Sequence, residues 1–114
     1  MLNERDKNVL ERIIKYCDEI ELTIKMFDDS LETLKTNFVY KNAVSMCILQ
    51  IGELTTHLSK SFLETHTRIP WARIKRMRNV AAHHYGKFDM NVLHDTIISD
   101  IPELKTYCQN LIEN

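Results

Sequence analysis

A guanidinium, an amide and an imidazole spaced along one helix can hold a phosphate and move protons around it. The run Arg78-Asn79-Val80-Ala81-Ala82-His83-His84-Tyr85 has that composition: arginine, a polar neighbour, histidine five positions on and tyrosine two beyond it. An arginine can donate two hydrogen bonds to a phosphate. A histidine whose ordinary pKa is about 6.5 can take up or release a proton near neutral pH. The setting fits a polyanion. Between Thr65 and Phe88 stand Arg68, Arg73, Lys75, Arg76, Arg78 and Lys87 with no acid among them. The whole chain carries 15 basic and 16 acidic residues, so its formal charge of −1 hides a basic segment set against an acidic remainder. Such asymmetry is what a protein handling a polyanion needs.

The elements that must position these groups read as helices. Two Gly and two Pro in 114 residues leave little turn chemistry for strands. Leu10, Ile13, Ile14, Cys17, Ile20, Ile24 and Phe27 recur at helical spacing and predict a first helix over about residues 5–27. Asp28-Asp29-Ser30 ends it and can cap a short turn of helix from Leu31 to Lys35. Asn37 is a candidate cap for the longest helix, to about Glu64, with a stripe of Val44, Cys47, Ile51, Leu54 and Leu58, and Ile48 and Phe62 alongside. Gly52 inside that helix costs about 1 kcal/mol relative to alanine, which close approach by another helix would explain. Pro70 begins the helix that carries the motif and Gly86 ends it. Asp89 caps a last helix, in which Pro102 predicts a kink or restart near Asp100. The expectation is an all-α, antiparallel bundle of four main helices plus a short one, in a single domain over residues 1–114.

On the motif helix, about 100° per residue separates the two adjacent histidines. Ile74, Met77, Val80, Ala81 and His84 form an apolar stripe, so His84 points toward the core edge. Asn79 and His83, four apart, share the polar side, while Arg78 and Tyr85 share another stripe. Arg78 and His83 are then about 140° apart around an ideal helix, too far to grip one phosphate side by side. A distorted turn would close the gap. The preferred reading is a homodimer in which Arg78 of one copy reaches His83 of the other.

Other chemistries have less support. Cys17, Cys47 and Cys108 fall in apolar stripes without CxxC spacing and read as reduced packing residues, which points to the cytoplasm. No apolar run approaches the roughly 18 to 20 residues that span a bilayer, and the charged start Asn3-Glu4-Arg5-Asp6-Lys7 does not resemble a signal peptide. Glu53 and His57, four apart, could bind a metal but lack a third ligand, so a hydrogen-bonded pair is expected there and no metal site.

The motif resembles the signature of the HEPN superfamily, and with Tyr85 it takes the Arg-x4-His-x-Tyr form of HepT-like toxins. Ile69-Pro70-Trp71 before it, the segment from Asp89 through Asp100-Ile101-Pro102-Glu103-Leu104 after it, and Gln50-Ile51-Gly52-Glu53 in the long helix resemble the same family. One departure is His94, where a bulky aromatic would be expected; it bears on packing. The resemblance implies an all-helical homodimer with a composite cleft and RNA cleavage without a metal or other cofactor. Arg78, Asn79 and His83 would be catalytic. It also implies a minimal nucleotidyltransferase (MNT) antitoxin that attaches AMP to Tyr85. Arg73, Lys75, Arg76 and Lys87 are expected to hold RNA through salt-sensitive phosphate contacts. The alternative is a catalytically inactive HEPN module that binds a nucleotidyltransferase partner or nucleic acid.

Overall fold

Each helix in the first half of the chain starts where a side chain can accept the free backbone N–H groups of its first turn. The structure is a computed structural model; it describes the backbone of residues 2–83 and 89–113, and the side chains of these except residues 80–83. Asn3 Oδ1 accepts from Asp6 N at 2.7 Å and opens α1 (Glu4–Met26). Ser30 caps α2 (Leu31–Thr36), and Asn37 accepts from Val39 N and Tyr40 N to open α3 (Phe38–Thr55). These are the caps that satisfy orphan donors at a helix start. After them come α4 (Lys60–Thr65), α5 (Trp71–His83), α6 (Met90–Asp95), a π-helical turn at Thr96–Asp100 and α7 (Ile101–Glu113). Asp89 caps α6 as expected. The described residues are all helix and connecting turns, with no strand.

The long helix expected to run to about Glu64 is instead two helices. At its break the Thr55 and Thr56 hydroxyls donate to the Gly52 and Glu53 carbonyls at 2.7 and 2.6 Å. The N–H groups of Thr56, His57 and Leu58 tighten onto carbonyls three residues back. Ser59 then caps α4 and is itself gripped by the buried Asp6, whose two carboxylate oxygens accept from Ser59 N at 2.9 Å and Ser59 Oγ at 2.7 Å. Leu58 and Phe62 remain buried across the break, so the apolar periodicity continues while the backbone does not. Asp6→Ala should remove about 1–3 kcal/mol of stability, because the Ser59 donors lose their acceptor. Urea unfolding with an unchanged m-value checks this, and a midpoint equal to the parent's would refute it.

Core packing joins α1, α3 and α7. Leu10, Ile13, Cys17 and Ile20 of α1, Tyr40 and Val44 of α3, and Cys108 of α7 are buried. Phe27 stacks on Tyr40 with centroids 5.0 Å apart, at the end of α1 and the start of α3, so these helices run antiparallel. Lys105 ties α7 to α1 through Asp18 at 2.7 Å and Glu21 at 2.9 Å. The three cysteines are free and buried. Burial pushes the Cys47 thiol up to about 11 and the Cys108 thiol to about 12, and raises Cys17 as well. All three are buried in the apolar core, where they pack.

The proline in the last helix has a structural answer. In regular α geometry the Pro102 ring would collide with the carbonyl four residues back, and it has no N–H to offer that carbonyl. The π turn widens the backbone just ahead of it, with Ile101 N bonded to Thr96 O. His94, the departure from the family pattern, has its Nε2 at 2.7 Å from the Asp29 carbonyl, linking α6 to the turn between α1 and α2. No described helix is long and apolar enough to cross a membrane.

Candidate functional site

The start of α5 is pinned before the motif is reached. Trp71 Nε1 donates to the His66 carbonyl at 2.7 Å, and its ring packs against Phe62 of α4. His66 in turn meets the Tyr107 hydroxyl of α7 at 3.1 Å, and Arg68 stacks over the same tyrosine ring. Pro70 lies one residue ahead of the helix, where its carbonyl accepts from Ile74 N. One turn further, Arg73 Nη2 reaches Asp100 Oδ2 at 2.7 Å. Buried Met77 receives a contact from the Thr96 hydroxyl, 3.4 Å from its sulfur. Both Asp100 and Thr96 belong to the π turn, so the turn that accommodates Pro102 also supplies two of the anchors for α5.

Arg78 sits where α5 comes closest to α3. A Cβ on Gly52 would stand 2.6 Å from Arg78 Cγ and 3.3 Å from its Cα, and closer still to its Cβ. Only a residue without a side chain lets the two backbones meet there. The arginine side chain is 20% exposed, and its Nη1 pairs with Glu53 Oε1 at 3.0 Å. Its Nε is buried and has no hydrogen-bond partner. Sequence reading placed Glu53 with His57; the structure turns the Glu53 carboxylate to Arg78 instead. The signal was present in the adjacent Gly52-Glu53, but nothing local says which helix answers it.

The remaining expected site residues divide into three groups. Asn79, Lys75 and Arg76 are exposed on α5. Arg73 is engaged by Asp100, so part of its charge is already answered within the chain. His83 is the last residue of α5, with its side chain outside the described residues; His84, Tyr85, Gly86 and Lys87 lie outside them altogether. Arg78 and Asn79 lie on different faces of α5, as the helical spacing predicts, but the contact of the Arg78 face with α3 was not expected. A cleft of about 300 Å³ between α3, α5 and α7 is lined largely by Ile48, Ile51, Ile74, Met77 and Leu104, with neither Arg78 nor Asn79 in its wall. Arg78 and Asn79 therefore lie apart from this cleft, whose wall does include Arg73 and Asp100. Among the described residues no group of three His, Cys, Asp or Glu side chains is arranged to hold a metal.

The described residues are all helical, and one arginine of the basic helix α5 is seated between a glycine and a carboxylate of α3. The chain belongs to the ribonuclease HepT-like family, whose model matches residues 11–111. Similar proteins include one named probable ribonuclease HepT from Thermococcus cleftensis, 35% identical over 101 residues, covering 87% of this chain and 88% of that one. A provisionally named RNase of Caldanaerobacter subterraneus subsp. tengcongensis is 29% identical over 104 residues and 91% of each chain. Another of Methanocaldococcus jannaschii is 30% identical over 108 residues, covering 95% of this chain and 91% of its own. No solved structure matches the chain.

Proposed function

We propose that this chain is the toxin ribonuclease of a toxin–antitoxin pair, a single HEPN domain of the cytoplasm that cuts RNA without a metal ion. The observation that carries the reading is the seating of Arg78: a guanidinium held half-buried against Gly52 and Glu53, beside the exposed amide of Asn79. RNA brings its own nucleophile, so such a site needs only proton transfer and charge stabilisation. Neutral His83 takes the proton of the 2′-OH, and that oxygen bonds to the adjacent phosphorus. The bond from phosphorus to the 5′ oxygen breaks, and the leaving oxygen takes a proton from water. Arg78 carries the charge that builds on the phosphorane oxygens. Asn79, one turn from His83, orients it or binds the phosphate. The products are a 2′,3′-cyclic phosphate and a 5′-hydroxyl.

The His83 that works with each Arg78 comes from a second copy of the chain. Arg78 faces α3 while Asn79 faces solvent, and His83 is about 140° around an ideal helix from Arg78, so Arg78 and His83 converge across a twofold axis more readily than within one chain. Val39 and Met46, 52% and 54% exposed, fall on the same stripe of α3 as Glu53, seven residues apart in turn. An exposed apolar stripe that leads to the arginine supports placing the dimer seam there. Lys75, Arg76 and Lys87 hold the strand, with Arg73 contributing less because of Asp100. An MNT-type nucleotidyltransferase antitoxin neutralises the toxin by transferring AMP from an adenosine triphosphate to the Tyr85 oxygen, with pyrophosphate leaving, and the new anion competes with substrate phosphate for the site.

The test is incubation of the purified chain with transfer or messenger RNA in EDTA. Cleavage leaving cyclic phosphate ends is the expected result. A strict Mg²⁺ requirement, or ends bearing a 3′-hydroxyl, would overturn the mechanism; RNA bound but left intact would favour the inactive module.

A further inference from the structure

We infer that Glu53 is a positioning residue for Arg78, and that the pair presents the guanidinium to phosphate through its Nη1–Nη2 end alone. The inference rests on the reading of Arg78 as the phosphate ligand. An arginine offers a bidentate partner two edges, one formed by Nε with Nη2 and one by the two terminal nitrogens. Here the Nε is buried and without a partner, so the first edge is closed to an incoming oxyanion. Glu53 Oε1 at 3.0 Å from Nη1 then fixes how the planar group is rotated about its last bonds. The Arg78 side chain is 20% exposed and that of Glu53 47%, so the pair sits at the protein surface with an outward side.

Three features combine to give this orientation. Gly52 lets the root of the Arg78 side chain lie directly on α3, which sends the chain past the next residue of that helix, Glu53. Arg73 on Asp100 and Met77 under the Thr96 hydroxyl hold the rotation of α5, so the arginine root cannot roll away. A surface ion pair of this exposure adds little stability, because water and salt screen it. Its effect falls instead on geometry, and misplacing a catalytic group by about 1 Å can lower a rate by 100-fold.

The experiment measures kcat and KM on one RNA substrate for Glu53→Gln, Glu53→Ala, Arg78→Ala and the double variant Glu53→Ala/Arg78→Ala, together with thermal melts. Glu53→Ala is expected to lower kcat by roughly 10- to 100-fold with KM within about threefold and an unchanged melting temperature. Glu53→Gln, which keeps an oxygen at the same reach, should recover part of that loss. In the Arg78→Ala background the Glu53→Ala change should have no further effect, since there is nothing left to orient. If Arg78→Ala is inactive while Glu53→Ala keeps full kcat, or gains activity, the positioning role is wrong and the ribonuclease reading stands. Additive losses in the double variant would also overturn the positioning role. If Arg78→Ala itself is fully active, the ribonuclease reading of the site fails first.

Discussion

Mixing Arg78→Ala with His83→Ala protein should restore ribonuclease activity that neither variant has alone. Each single change is expected to lower kcat by roughly 100- to 1,000-fold, the usual consequence of deleting a group that meets the charge or proton of the transition state. In a mixed dimer with composite sites, the intact Arg78 of one chain faces the intact His83 of the other, so one site of two is complete. Random exchange makes half the dimers mixed, giving a recovery of up to about a quarter of the parent rate. If both groups act within one chain, no mixture recovers anything. The physical basis is the division of α5 into faces: Arg78 lies on α3, Asn79 faces outward, and one chain presents them in different directions. Recovery measured after a denature-and-renature exchange decides between the two arrangements, and its absence, with dimers confirmed, would sink the shared cleft.

Gly52→Ala should damage stability and activity together. The added methyl would meet the Cβ, Cγ and Cα of Arg78, the last of these backbone that cannot swing aside. Overpacking of this kind costs about 1–3 kcal/mol, against about 1 kcal/mol gained from alanine's better helix propensity. A net loss of up to about 2 kcal/mol in urea unfolding follows. The same displacement lifts the guanidinium off Glu53, so kcat should fall by about 100-fold in the fraction that remains folded. Glu53→Ala separates the two effects, because it alters orientation without adding volume. Full activity in a stable Gly52→Ala protein would show that the close approach of α3 and α5 has no part in the chemistry.

Much of this arrangement is legible along the chain. Asn3 lay in the charged start, but Ser30, Asn37 and Asp89 were readable as helix starts because a cap is a local event, satisfied within three residues. The faces of Arg78, Asn79 and Met77 followed from 100° per residue, and the buried thiols from their place in apolar stripes. The break at Thr56–Ser59 did not show, because Leu54, Leu58 and Phe62 keep helical spacing through it. What ends α3 is a pair of threonine hydroxyls on its own carbonyls and, from far along the chain, the carboxylate of Asp6.

The motif, its basic surroundings, the all-helical class and the family are properties of the sequence, since each depends on residue type and on spacing within a helix. That Gly52 makes room for Arg78, that Glu53 answers Arg78 rather than His57, and that Arg73 is taken by Asp100 were decided only by tertiary structure. A charge's partner depends on which helices lie side by side. That is fixed by the burial of many apolar residues at once, and no short run of sequence contains it.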